Sequence, residues 1–260
     1  MNVNELSLAH QVGYEPLGQV MGSSIYHIGW QWQTLGSYNS SWYNGVSSEL
    51  AVLTAAFQNA RHLALGRLKQ EAALLGASGV IGVRLEHKEQ EWGADLLEFM
   101  AIGTAIRESG AAFSTQPPFL SDLSGDDFWR LRRGGFRPVG IAVGNCSYYQ
   151  IPTWSTQNVT QGGWFGAGSW QNTELPDYTQ ALYSARELAM GRMENDAQNV
   201  GGSGIVGVSV DVEAKPHPVE VNKRTRIDMM YHFTAIGTAI APFPTPTRAL
   251  EIIPVVSMRK

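Results

Sequence analysis

The chain has 260 residues, 43% of them hydrophobic and 16% charged, with a single cysteine, Cys146. Its net charge of -4 excludes the basic footprint of a nucleic-acid binder or of a protein held on anionic lipid. One cysteine excludes a disulfide within the chain and leaves nothing that needs an oxidising compartment.

Taken in chain order, the elements come twice. Residues 1–16 carry neither a basic start nor a continuous apolar core, so no signal peptide is expected. A Gly-Tyr-Glu-Pro turn at 13–16 leads into a strand over 17–28 and a Trp-rich loop over 29–45. Ala60, Leu63, Ala64, Arg67, Leu68, Ala72 and Leu75 fall at helical spacing and predict a helix over 48–75, closed by Gly76. A strand over 80–86, a turn, and a strand carrying FMAIGTAI at 99–106 complete the unit. Residues 109–126, with Pro117, Pro118 and several Ser, Asp and Gly, read as a linker. The second unit repeats the plan with a turn at 135–138, a strand over 139–151, a Trp-rich loop over 152–172 and a helix over 178–200. A strand over 205–213 follows, then a longer turn holding Lys215-Pro216-His217-Pro218, then FTAIGTAI at 233–240. The expected division is a first repeat over 1–108, the linker, a second repeat over 127–242 and a tail over 243–260. No run approaches the roughly 18–20 apolar residues that cross a bilayer, and a cytoplasmic chain with no membrane span is expected.

Three matched blocks carry the duplication. The Gly-Tyr/Phe-x-Pro block recurs at an offset of 122, the helix and its following GASGVIGV/GGSGIVGV at 125, and the octamer at 134. The offset grows only between blocks, so insertions fall in loops. Arg67 with Glu71 and Arg192 with Asp196 stand at i,i+4 in the two helices, a spacing that supports each helix by tenths of a kcal/mol.

In a strand, alternate side chains point to opposite faces. One octamer face is Phe99, Ala101, Gly103, Ala105; the other is Met100, Ile102, Thr104, Ile106. In the second copy the small face is Phe233, Ala235, Gly237, Ala239 and the other holds Ile236, Thr238 and Ile240. Neither face suits water, so both need a cover. The small face fits a helix that brings Ala64 and Gly66, or Ala189 and Gly191, where a mid-helix glycine implies tight packing. The Ile/Thr face (Ile102, Thr104, Ile106, Ile236, Thr238, Ile240) is left for another sheet, in the sister unit or another chain, and is expected to lie inside an assembly.

Ala185 to Met193 followed by Gly201 to Val208, and Ala235 to Ala239, with their first-copy counterparts, resemble the YbjQ-like family over most of both units. The resemblance implies a YbjQ/dodecin-like α+β fold: two tandem repeats, each a small, mainly antiparallel sheet with one long helix packed on it. It also implies homo-oligomeric assembly, as a pentamer of tandem units, and a heavy-metal-binding label with no established reaction.

A metal site needs several His, Cys or carboxylate groups converging about 2 Å from the ion. His10, His27, His62 and His232 align with Arg132, Tyr149, Glu187 and Glu98 in the other copy, and Cys146 with Ser24. No ligand is duplicated, so no cofactor is expected and a transition metal is kept as the rival reading. Ser78 and Ser203 follow helices instead of preceding them, and no nucleophile elbow or phosphate loop occurs, so no catalytic residue is assigned. The duplicated Arg61/Arg186 and Arg67/Arg192 read as structural ion pairs at an interface. Trp30, Trp32, Trp42, Trp154, Trp164 and Trp170 lie among Gly, Ser, Asn and Gln, a mixture that suits a packing surface or the docking of a protein partner. The expectation is a non-enzymatic protein that forms a ring from copies of itself.

Overall fold

The computed structural model describes residues 7, 9–27, 45–89, 96–110, 113, 116–161, 172–221 and 224–243. The first unit comprises β1 (Tyr14–His27), β2 (Ser47–Glu49), α1 (Ala51–Leu74), β3 (Gly79–Glu89) and β4 (Leu96–Glu108). Between the units lie β5 (Phe119–Leu120) and α2 (Gly125–Arg133). The second unit comprises β6 (Phe136–Gln150), α3 (Trp154–Gln161), α4 (Pro176–Asn199), β7 (Gly204–Val221) and β8 (Arg224–Pro242).

Two four-stranded sheets form, in the orders β1-β4-β3-β5 and β2-β6-β8-β7. The long strands pair antiparallel in matching register, Met21 with Ile102 in the first sheet and Val143 with Ile236 in the second. Gly82 and Gly207 take positive φ, 62° and 66°, where β3 and β7 bulge against their neighbours. A side chain is strained there, which gives the second glycine of GVIGV and GIVGV its reason. The Lys215-Pro216-His217-Pro218 stretch is not a turn. It continues β7 and pairs with residues 227–230 of β8. β7 is the edge of its sheet, where proline removes no ladder bond.

Each helix lies against the small face of its own octamer. Ala60, Ala64, Leu68 and Ala72 pack with Val20, Ala101 and Ala105, and Ala185, Ala189, Met193 and Ala197 pack with Ala142, Ala235 and Ala239. The closest approach falls at strand glycines. A Cβ on Gly22 would overlap the Ala64 carbonyl oxygen and Leu68 N, and one on Gly144 the Ala189 carbonyl oxygen and, at 2.7 Å, Met193 N. The helix glycines named from the sequence play no such part: a Cβ on Gly66 or Gly191 meets nothing within 4 Å.

The i,i+4 charges also act differently from the sequence reading. Each pair reaches across to the first strand of its unit and grips main-chain groups on either side of the strand glycine. Met21 N donates to Glu71 Oε2 at 2.7 Å while Arg67 donates to the Ser23 carbonyl. In the second copy Val143 N donates to Asp196 Oδ2 at 2.9 Å and Arg192 donates to the Asn145 carbonyl at 3.0 Å. Charge-assisted bonds to the strand's main chain are stronger than an exposed helical pair.

The units stack in the order first sheet, α1, second sheet, α4. Ile141, Val143 and Ile236 of the second unit join the core of the first. The segment after β5 is threaded into this contact, with Ser121 Oγ 2.9 Å from Thr238 Oγ1 and Thr238 donating to Asp122. Among the described residues no helix is long and apolar enough to cross a membrane.

Gly22→Ala and Gly144→Ala are each expected to destabilise by about 1–3 kcal/mol, the cost of overpacking. Gly66→Ala is expected to stabilise by up to about 1 kcal/mol, and urea unfolding of the three variants checks the contrast.

Candidate functional site

The most elaborate constellation in the chain is the contact between its two units. β2, from the first unit's sequence, is added to the edge of the second unit's sheet, with Ser47 opposite Gln150 and Glu49 opposite Tyr148. Where β2 turns into α1, Leu50 N donates to the Ser147 carbonyl at 2.8 Å and Thr54 Oγ1 accepts from Ser147 N at 2.9 Å. Asn145 Nδ2 donates to the Thr54 carbonyl at 3.0 Å. The edge of β6 is thus satisfied by its own helix at 143 and 145 and by the first unit from 147 onward.

Glu49 closes the contact. Arg192 Nη2 donates to Glu49 Oε2 at 2.9 Å, and Nη1 stands 2.7 Å from Oε1 as an ion-pair contact. Burial opposes the charge on Glu49, but hydrogen bonds from Arg192 and Thr54 and the Arg192 charge outweigh it, so the carboxyl is held below its ordinary range. Beside them the Cys146 thiol is pushed up to about 12 by burial, reinforced by the Glu49 charge, which keeps it protonated at neutral pH.

Further along, Phe57 stacks on His232 with ring centroids 5.0 Å apart, and His232 Nδ1 lies 2.9 Å from Ser147 Oγ. Arg61 is 2% exposed. Its guanidinium lies 5.5 Å above the Phe99 ring and gives Asn145 Oδ1 a long hydrogen bond of 3.4 Å, while its Nε has no hydrogen-bond partner. Burial lowers its pKa to about 10, which still leaves it charged at neutral pH. Phe57, Arg61, Phe99 and His232 line a cavity of about 140 Å³ between the units, with Leu85, Ile236 and the β7 residues Asp211 and Glu213.

The counterpart surfaces, found by shifting each position by its repeat offset, are uncovered. On the second sheet Val143, Asn145 and Ser147 are buried under α1. Their counterparts on the first sheet are Met21, Ser23 and Ile25, and Met21 and Ile25 are 51% and 57% exposed. On α4, Arg186, the counterpart of buried Arg61, is exposed, and so is Glu174, the counterpart of Glu49.

Of the octamer residues expected inside an assembly, Ile106, Thr238 and Ile240 are buried, while Ile102, Thr104 and Ile236 are half-buried. Ile106 packs with Tyr14, Ile81 and Phe128 of its own chain. Trp154 opens α3 and is exposed; Trp30, Trp32, Trp42, Trp164 and Trp170 lie outside the described residues. Sequence reasoning missed Glu49, Thr54, Phe57 and Asn145. The available signal was unequal pairing between copies, Phe57 with Leu182 and Asn145 with Ser23, beside the shared Glu49/Glu174 and Thr54/Thr179.

A family model matches residues 11–109 and again 155–241. The chain belongs to the YbjQ family. That family carries the description "Putative heavy-metal-binding". Two relatives extend the comparison. An encapsulin nanocompartment protein of Mycobacterium tuberculosis is 39% identical over 212 residues, covering 80% of this chain and 75% of the relative. A UPF0145 protein of Clostridium perfringens is 40% identical over 67 residues, 26% of this chain and 61% of the relative.

Among the described residues no three His, Cys, Asp or Glu side chains converge as metal ligands. His232 shares its cavity with the buried Arg61 guanidinium and with the carboxylates of Asp211 and Glu213.

Because the Glu49 carboxyl is held low, the stability it gives is complete above the ordinary carboxylate range and is lost as the pH falls through its lowered value. Glu49→Gln is expected to lower stability at pH 7 by about 1–2 kcal/mol and to flatten the acid limb of the stability curve. Thermal melts from pH 3 to pH 7 test both.

Proposed function

We propose that this chain is a non-enzymatic building block that assembles with copies of itself into a closed ring. The observation that carries the reading is the open face of the first sheet. The same face of the second sheet is buried against α1, while its counterpart leaves Met21 and Ile25 in water. Full burial of two such side chains is worth about 1.5–3 kcal/mol each. The Mycobacterium tuberculosis relative, which spans most of this chain and is named as part of an encapsulin nanocompartment, supports a role in building a particle. Five chains is the count we propose, as the family resemblance implies, with the Trp-rich segments facing outward as a packing or partner-binding surface. Trp154, 60% exposed, is consistent with that placement.

The charged groups at the centre of the molecule support a structural role. Glu49 is bound to Arg192, Asp228 to Arg226 and Tyr149, and Asp177 to Thr153 and Thr156. Such groups are occupied in holding elements together instead of standing ready for proton transfer. A buried thiol without a disulfide suits the cytoplasm. Heavy-metal binding is the second reading, and it rests on the family's description alone.

Mass photometry at micromolar concentration is expected to give a particle of five times 28.4 kDa. Ile25→Asp is expected to shift it towards the single chain. Wild-type protein at 28.4 kDa would contradict the reading, and a stoichiometric transition metal in tag-free protein would move it to the second.

A further inference from the structure

We infer that the joint between chains repeats the joint within the chain: residues 172–174 of one copy add as a strand to the β1 edge of the next, and Glu174 pairs with that copy's Arg67. The inference rests on the self-assembly reading and specifies its geometry. Within the chain, β2 adds to β6 at 148–150. Shifting β2 by its offset of 125 gives Asn172, Thr173 and Glu174, and shifting 148–149 by 122 gives Tyr26 and His27 of β1.

Both halves of that second joint are present and apart. Among the described residues β1 is the edge of its sheet, and no described strand lies beside one row of its main-chain groups. Residues 172–174 are exposed and outside any strand. They leave α4 in the direction in which β2 leaves α1: the preceding residue has φ -87°, ψ 74° at Leu50 and φ -104°, ψ 86° at Leu175. The first helical turn repeats as well, with Thr54 N donating to the Leu50 carbonyl and Thr179 N to the Leu175 carbonyl.

The side chains that close the internal joint have counterparts. Arg192 holds the Asn145 carbonyl and the Glu49 carboxylate together. Arg67 already holds the matching Ser23 carbonyl, and Glu174 is the matching carboxylate. Thr179 stands where Thr54 caps the strand edge, and Tyr26 where the Tyr148 hydroxyl reaches Ser47. One contact changes character. Arg61 meets His232 in the internal cavity, whereas the equivalent pair between chains is Arg186 with Glu98, of opposite charge. Strand addition supplies main-chain affinity, and the two ion pairs fix register.

The consequence is a polar joint. Each chain offers the first sheet at one end of its stack and α4 with residues 172–174 at the other, so contacts run head to tail. Heterologous contacts of this kind close into rings or extend as filaments, and they do not make two-fold dimers.

The test compares wild type, Glu174→Arg, Arg186→Glu and the double variant Arg186→Glu/Glu98→Arg by mass photometry, with far-ultraviolet circular dichroism confirming fold. Glu174 and Arg186 are exposed, so their reversal leaves the single chain intact. The expected result is at least tenfold weaker association for each single variant and recovery in the double variant. An assembled wild type whose mass is unchanged in both single variants would overturn this joint and leave self-assembly standing. A monomeric wild type would remove self-assembly itself.

Discussion

Helix α1 is apolar on two sides, and one sheet can cover only one of them. Its Ala60, Ala64 and Leu68 side meets its own sheet, and Phe57 and Arg61, which touch that sheet at Phe99, extend to the second unit at His232 and Asn145. The second unit supplies the missing cover with the outer face of its sheet, and the chain becomes a stack of alternating sheets and helices. Everything else at the centre follows from that demand. β2 is drawn onto a foreign sheet edge, Glu49 is carried to Arg192, and the segment after β5 is held at Thr238. A stack that alternates in this way has unlike ends: among the described residues, one is a sheet face exposed at Met21 and Ile25 and the other a helix exposed at Arg186.

Within each unit the constraint is close approach. Gly22 and Gly144 let a helix backbone touch a strand backbone, and the arginine and acid on either side grip the strand's exposed main-chain groups. The clamp recurs in the two copies, with Glu71 as the acid in one and Asp196 in the other. It is therefore a property of the unit, whereas the bound Glu49 and buried Arg61 are properties of the contact between units.

That division explains what could be read from the sequence. The duplication, the order of strands and helix, and the small octamer face under the helix were legible, because periodicity and residue size record what a unit packs against itself. The close approach was assigned to the helix glycines Gly66 and Gly191, whereas it falls at Gly22 and Gly144, since sequence spacing says which residues share a face and nothing of interatomic distance. Lys215 to Pro218 read as a turn because edge strands tolerate proline without any local sign of being at an edge. Asn145 and Glu49 could not be assigned, because their partners come from another unit. The Trp-rich segments lie mainly outside the described residues.

The most direct measurement is an electron-microscopic reconstruction of the assembled particle, read at the outer face of the first sheet. The account predicts α4 of a neighbouring chain on that face, with residues 172–174 added beside Tyr26 and His27. A particle in which the first sheets of two chains meet face to face across a two-fold axis, or in which Met21 and Ile25 remain in solvent, would contradict it.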